Sequence, residues 1–190
     1  MDFDAPTPRR FMPSGPLRGR IRVPGDKSIS HRALMFGALA VGRTRITGLL
    51  EGADVLATAA ALRQMGVQIE REGDEWTVDG VGVGGFLQPP SPLAMGNSGT
   101  SARLLMGLVA SQAITATFTG DASLSRRPMH RVIEPLSLMG ASFRPSEGGT
   151  LPMTVEGIEP AVPITVVMPG VLSPASSTAL FTCALATGKR

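Results

Sequence analysis

GDKSISHRALM, from Gly25 to Met35, returns 71 residues later as GNSGTSARLLM, from Gly96 to Met106. Both stretches open on glycine and two polar residues, then carry Ser, Arg, Leu and Met in register. Working outward, Ile46-Thr47-Gly48 is answered by Phe118-Thr119-Gly120. The run Leu62 to Gly66 (LRQMG) is answered by Leu136 to Gly140 (LSLMG), and Thr77 to Gly80 (TVDG) by Thr154 to Gly157 (TVEG). Four landmarks recur in one order while the offset drifts only from 71 to 77, the mark of an internal repeat.

Each repeat reads as a β-α-β-α-β-β unit, an α/β (α+β) fold. In the first, a strand over Arg20 to Val23 precedes a helix over Ser28 to Ala40, whose apolar residues fall at near-helical spacing. A strand over Thr44 to Thr47 follows, then a helix from Asp54 to Gln64 with Asp54 as N-cap and Gly66 as C-terminal glycine. A hairpin closes the unit: Val67 to Arg71, a turn at Glu72-Gly73-Asp74, and Trp76 to Asp79. In the second unit Ser146 to Gly149 makes the corresponding turn. A third unit begins with a strand over Val162 to Val167 and a helix over Ser176 to Leu185, and its remaining elements are missing before Arg190. The expected organisation is therefore the N-terminal part of one domain. Its units span about 19–85, 92–160 and an incomplete 161–190, and a second domain is absent.

Composition narrows the function classes. The 190 residues are 43% hydrophobic and 17% charged, which suits a packed core rather than disorder. One cysteine excludes an internal disulfide, and with two histidines it argues against a zinc site. No run of about 18 apolar residues exists to span a bilayer, and the N-terminus lacks a secretory apolar region, so the expected compartment is cytoplasmic. Aromatics at 4% and a charge of only +3 argue against nucleic acid, which needs stacking platforms and basic stripes. The sequence pI near 10.0 favours anionic small-molecule partners. Gly80-Val-Gly-Val-Gly-Gly85 satisfies a dinucleotide-binding glycine pattern, but Pro89-Pro90 follows where that fingerprint requires a helix. It reads as a connector, with no NAD site.

The chemistry concentrates at helix starts. A helix N-terminus carries unsatisfied N–H groups and partial positive charge, and acidic side chains are preferred there. The first unit instead places Lys27, His31 and Arg32 in or beside that turn. Either this is a solvated basic turn capped by Ser28, or a phosphate or carboxylate offsets the charge. The second unit offers Gly96-Asn-Ser-Gly-Thr-Ser-Ala-Arg103, with glycines that let backbone approach a ligand and hydroxyls that equally suit an ordinary cap. Arg126-Arg127-Pro128 stands before the second helix of that unit, with Pro128 suited to its first position.

Pro24 to Arg32 (PGDKSISHR), Gly96 to Thr100 (GNSGT) and Arg127-Pro128-Met129 resemble the signatures of the 5-enolpyruvylshikimate-3-phosphate synthase family. The related UDP-N-acetylglucosamine enolpyruvyl transferases carry Lys-Asn where this chain has Lys27-Ser28. The resemblance implies two domains of three such units, with the active site between them. It also implies transfer of the enolpyruvyl group of phosphoenolpyruvate to the 5-hydroxyl of shikimate 3-phosphate, with no cofactor and no metal. Carried over residue by residue, it implies Lys27 in contact with both substrates and in the catalytic role. Ser28, Arg32 and Ser173 then hold shikimate 3-phosphate, while Asn97, Gly99 and Arg127 hold phosphoenolpyruvate. Ala175 stands where the family carries a substrate-bridging glutamine. Glyphosate would occupy the phosphoenolpyruvate site beside Gly99, and Leu104 replaces a proline common one turn on. The implied partners are the two substrates and the missing C-terminal half, with no nucleic acid or membrane. The competing reading is a stand-alone module that binds a phosphometabolite without turnover.

Overall fold

A computed structural model describes residues 10–13, 15–16, 18–162 and 164. The first unit contributes helix α1 (Lys27–Leu39), strand β1 (Val41–Thr47), helix α2 (Ala53–Gln64) and the hairpin of β2 (Gln68–Glu72) and β3 (Glu75–Val81). The second contributes β4 (Leu93–Ala94), α3 (Gly99–Ala110), β5 (Thr115–Thr119), α4 (His130–Leu138), β6 (Ser142–Ser146) and β7 (Thr150–Glu156). Each forms its own sheet, in the orders β1-β3-β2 and β4-β5-β7-β6. In both, the last strand of the hairpin lies centrally and pairs antiparallel with its neighbours on either side.

The repeat holds down to individual hydrogen bonds. After α2 the N–H of Gly66 reaches Arg63 O and that of Val67 reaches Leu62 O; after α4, Gly140 reaches Ser137 O and Ala141 reaches Leu136 O. These are Schellman closures, and the positive φ they impose (91° at Gly66, 106° at Gly140) is why glycine recurs there. Gly80 and Gly157 recur for a different reason. A Cβ on Gly80 would stand 2.3 Å from Gly37 O and 2.2 Å from Ala40 O, and one on Gly157 would stand 2.0 Å from Val109 O and 2.2 Å from Gln112 O. In each unit the central strand runs directly under the C-terminal turn of the first helix, and only hydrogen fits.

Three expectations need correction. Arg20 to Val23 form no strand; they run exposed, with Ile21 and Val23 open to solvent. A strand exists through its ladder partner, and this segment has none among the described residues, whereas its counterpart β4 pairs in parallel with β5. Asp54 is not the N-cap of α2: Gly52 holds that place without a side-chain bond, and Asp54 lies inside the first turn. Pro128 does not open α4, which starts at His130 with Met129 as cap. The glycine stretch after β3 leads into irregular chain with no helix, as a connector does. Of the strand expected over Val162 to Val167 only Val162 and Ile164 are described, neither in a strand; the helix expected for the third unit, with Ser173 and Ala175, lies outside the described residues.

Helix α3 is the most enclosed element. Ala102, Leu104, Leu105, Met106, Leu108, Val109 and Ala110 are all at most 2% exposed, and the helix packs against α2, α4 and β7. Each leucine so buried contributes about 1.5–3 kcal/mol. That packing makes the N-terminus of α3 a rigid platform.

Candidate anion site at two helix starts

At the first platform, Asp26 caps α1. Its carboxylate accepts from Ile29 N at 2.8 Å and its carbonyl from Ser30 N at 3.0 Å. Ser28 is therefore not the cap: the Asp26 side chain precedes the first turn by the right distance and takes the orphan N–H. Ser28 stays exposed, and its carbonyl accepts from Arg32 Nη1 at 3.0 Å. Lys27, its side chain 52% exposed, donates from Nζ to Asp54 Oδ2 at 3.0 Å. His31 does not belong to this charged surface. It is fully buried, with Nδ1 2.8 Å from Thr58 Oγ1. Burial pulls its pKa below the usual histidine value, Asp54 opposes that shift, and Lys27 and Arg32 reinforce it.

At the second platform, Ser98 caps α3 by accepting from Ser101 N at 3.1 Å. Arg103 Nη1 donates to Gly99 O at 3.1 Å. This repeats the bond of Arg32 to Ser28 one unit earlier, so Arg32 and Arg103, like Ser28 and Gly99, are repeat equivalents. Arg127 donates to Asn97 Oδ1 at 2.6 Å and to Ser123 Oγ at 3.2 Å. Asn97 in turn donates from Nδ2 to Asp121 Oδ2 at 2.7 Å, which fixes which way its amide points. The Leu124 N–H and the Asn97 amide hold the Asp121 carboxyl below its usual range, with smaller help from Ser123 and Arg127 and burial opposing. Burial pulls the Arg103 guanidinium below its usual value, and the neighbouring cations Arg127 and Arg131 add to the shift. A Cβ built on Gly99 would lie 2.6 Å from Arg103 Nη1 and 3.3 Å from Arg127 Nη1, so two guanidiniums close over the bare Gly99 backbone.

The platforms are joined. Asp54, which holds Lys27 by its side chain, accepts from Ser101 Oγ at 2.9 Å by its backbone carbonyl. Lys27, Asn97, Gly99 and Arg127 are thus linked through short chains of contacts, with Ser28 and Arg32 on the neighbouring surface of α1. Arg126 lies exposed beside them. Sequence reasoning missed Asp54 as the partner of Lys27, Asp121 as the orienter of Asn97, and Arg103. Arg103 was within reach, because the repeat offset carries Arg32 onto it.

Chemically, the arrangement presents guanidiniums, an ammonium and helix N-termini to one region, a combination that receives anions. An open cavity of about 440 Å³ is lined by Arg22 to Gly25, Thr47 to Glu51 and Asp74; it takes in Pro24 and Gly25 of the first motif and none of the expected site residues. Among the described residues no cluster of His, Cys, Asp and Glu could hold a metal ion, and no helix is long and apolar enough to cross a membrane.

The chain is similar in sequence and fold to known proteins. A family model described as EPSP synthase (3-phosphoshikimate 1-carboxyvinyltransferase) matches residues 11–190. The 3-phosphoshikimate 1-carboxyvinyltransferase of Novosphingobium aromaticivorans is 70% identical over 163 residues, covering 85% of this chain and 37% of its own length. That of Sphingopyxis alaskensis is 64% identical over 168 residues, covering 86% and 38%. A crystal structure of EPSP synthase from Acinetobacter baumannii superposes with a TM-score of 0.82 at 48% identity, over 86% of this chain and 37% of that one. The chain therefore spans little more than a third of the length of the relatives it matches.

Proposed function

The chain belongs to the EPSP synthase family, and on that premise we propose that it supplies the anion-binding face of a site where phosphoenolpyruvate and shikimate 3-phosphate meet. The reaction is transfer of the enolpyruvyl group to the 5-hydroxyl of shikimate 3-phosphate with release of phosphate, in a cytoplasmic-type compartment. Residues 19–85 and 92–160 are two repeat units of one domain, and 161–190 begin a third. In this reading Lys27 touches both substrates, Ser28 and Arg32 hold shikimate 3-phosphate, and Asn97, Gly99 and Arg127 hold phosphoenolpyruvate. Ser173 is assigned to shikimate 3-phosphate from the resemblance alone. Glyphosate would take the phosphoenolpyruvate place beside Gly99. The observation that carries the reading is the closure of Arg103 and Arg127 over the Gly99 backbone, two cations gathered with no carboxylate paired to either among the described residues.

Titration calorimetry with shikimate 3-phosphate tests it. Lys27→Ala is expected to lose about 1.5–3 kcal/mol, the range for hydrogen bonds to charged groups. Unchanged affinity in both Lys27→Ala and Arg32→Ala would overturn the assignment. A second reading is a phosphometabolite-binding module without turnover. The chain alone is expected to release no phosphate, so release is measured with and without a separately supplied C-terminal half: release on adding that half supports transfer, and binding without release in either case supports the module.

A further inference from the structure

Four buried or half-buried side chains join the helix starts, and counting their protons leaves one arrangement. Ser101 Oγ donates to the Asp54 carbonyl at 2.9 Å, which engages its only proton. Ser101 must then accept in its two other contacts, from Thr58 Oγ1 at 2.9 Å and from Ser98 Oγ at 2.6 Å. With the Thr58 proton engaged on Ser101, the 2.8 Å contact between His31 Nδ1 and Thr58 can only be donated by His31. The imidazole is therefore protonated on Nδ1, and its buried Nε2, which has no partner among the described residues, carries a lone pair. A second proton there would place a charged donor in a buried site beside Lys27 and Arg32. The lowered pKa of His31 agrees with the neutral form.

The result is a one-way chain, His31 to Thr58 to Ser101 to the Asp54 carbonyl, that crosses α1, α2 and α3. Ser101 is 0% exposed and satisfied in all three of its bonds. It lies two residues from Gly99 and is bonded to the residue that holds Lys27. We propose that Ser101 is a positioning residue: oriented by Thr58 and His31, its hydroxyl locks the Gly99 turn of α3 against Asp54. It thereby sets the Gly99 backbone and the Lys27 ammonium at a fixed separation for one shared anionic ligand. The proposal rests on the function proposed above for the ligand, which is of the phosphoenolpyruvate class, a phosphate and a carboxylate on one small carbon frame.

The test adds phosphoenolpyruvate to the 190-residue chain and follows backbone amides by NMR in the parent, Ser101→Ala, Thr58→Val and Thr58→Ser. In the parent the amides near Lys27 and those near Gly99 should titrate together with one dissociation constant. Ser101→Ala and Thr58→Val are expected to weaken that constant about tenfold, the loss of one well-placed hydrogen bond. Thr58→Ser, which keeps the hydroxyl, should restore it to within about twofold of the parent. A purely structural role would lower the melting temperature of Ser101→Ala and leave the dissociation constant unchanged in the cold, and that result overturns the proposal. If phosphoenolpyruvate moves no amide of the parent, the reading of function fails instead, and amide exchange in the free chain decides the positioning role. Exchange at Gly99 and Thr100 about tenfold faster in Ser101→Ala upholds it, and unchanged exchange overturns it. Imidazole nitrogen shifts give a direct check, because a proton found on His31 Nε2 would reverse the chain and overturn the proposal.

Discussion

The two units present the same backbone device with opposite electrostatics. At the start of α1 the ammonium of Lys27 meets a carboxylate, Asp54, at 3.0 Å. At the start of α3, Arg103 is crowded by Arg127 and Arg131, and none of the three forms an ion pair with another described residue. The position that carries Lys27 in the first unit carries Ser98 in the second, 1% exposed and built into the hydroxyl chain. One unit thus offers an exposed cation paired directly with a carboxylate, and the other a cluster of cations, Arg103 and Arg127 half-buried and Arg131 exposed, with no direct ion pair among the described residues. Duplication fixed the scaffold, and exchange of a few side chains at one turn divided the work.

The scaffold can be broken at a pair of equivalent glycines, and this is where the largest effect is expected. A Cβ on Gly25 would stand 2.1 Å from the backbone oxygen of Gly48, which has no flexible end to move aside. At Gly96 nothing lies within 4 Å, but φ is +55°. Gly25→Ala should therefore cost the full overpacking penalty, about 3 kcal/mol or more. Gly96→Ala should cost about 1–2 kcal/mol, the left-handed penalty for an L-residue. Urea unfolding midpoints of the two variants check the order. Equal losses would show that the two loops are closer copies than their contacts indicate.

What was legible in the sequence follows the same division. Landmarks set by local geometry could be read directly: the glycines closing α2 and α4, the hairpin turns, and the glycine that ends each central strand. Features that depend on a neighbour distant in sequence could not. The segment from Arg20 to Val23 has strand-forming side chains but no ladder partner among the described residues, and side chains alone do not show whether one arrives. Asp26 and Ser28 both suit an N-cap, and a single bond to Ile29 N decides between them. Lys27, Arg32, Asn97, Gly99 and Arg127 are proposed as a group from their motifs. Asp54 looked like a cap because it opens α2, and only the fold places its carboxylate against a lysine 27 residues away. His31 looked like part of a basic turn until helix packing put it in the core.

That burial gives the first unit a pH dependence. The folded-state pKa of His31 lies below the ordinary value near 6.5, so under acid the unfolded chain takes up a proton that the folded chain refuses. Stability is complete above about pH 6.5 and falls as the pH drops from there toward the folded-state pKa, by at most about 1.4 kcal/mol per pH unit. His31→Asn, which keeps a donor for Thr58 and does not titrate, should flatten the curve between about pH 6.5 and 5. In the second unit the lowered pKa of Asp121 has the same sign in a lower window: its contribution is intact above the ordinary carboxylate value and is lost as the pH falls through the folded one. Denaturant midpoints measured against pH should resolve two separate steps in the parent and only the lower one in His31→Asn. A His31→Asn chain with the parent's slope near pH 6 would place the titrating group elsewhere.

The smallest effect sharpens the comparison most, because stability and binding are expected to move in opposite directions. The Lys27–Asp54 pair is partly exposed, with side chains 52% and 31% accessible, and pairs of that kind contribute about 0–1 kcal/mol. Asp54→Asn should therefore lower the unfolding free energy by less than about 1 kcal/mol. The backbone carbonyl that receives Ser101 is unchanged by the substitution, so the hydroxyl chain stays in place. An anion approaching α1 in the parent must share Lys27 with a carboxylate and is itself repelled by it. With asparagine there, the ammonium is free and the repulsion is gone. Inorganic phosphate, which reports charge rather than the shape of a substrate, should bind a few-fold tighter at low salt, and the gain should shrink as salt screens it. Asp121→Asn is predicted to do the reverse, because it releases Asn97 and with it the guanidinium of Arg127, and phosphate should weaken. Phosphate titrations of the two variants at low and high salt measure both signs together. A weaker phosphate site in Asp54→Asn would mean that Asp54 aims Lys27 rather than neutralises it, and the first unit would then be built on the same oriented-cation plan as the second.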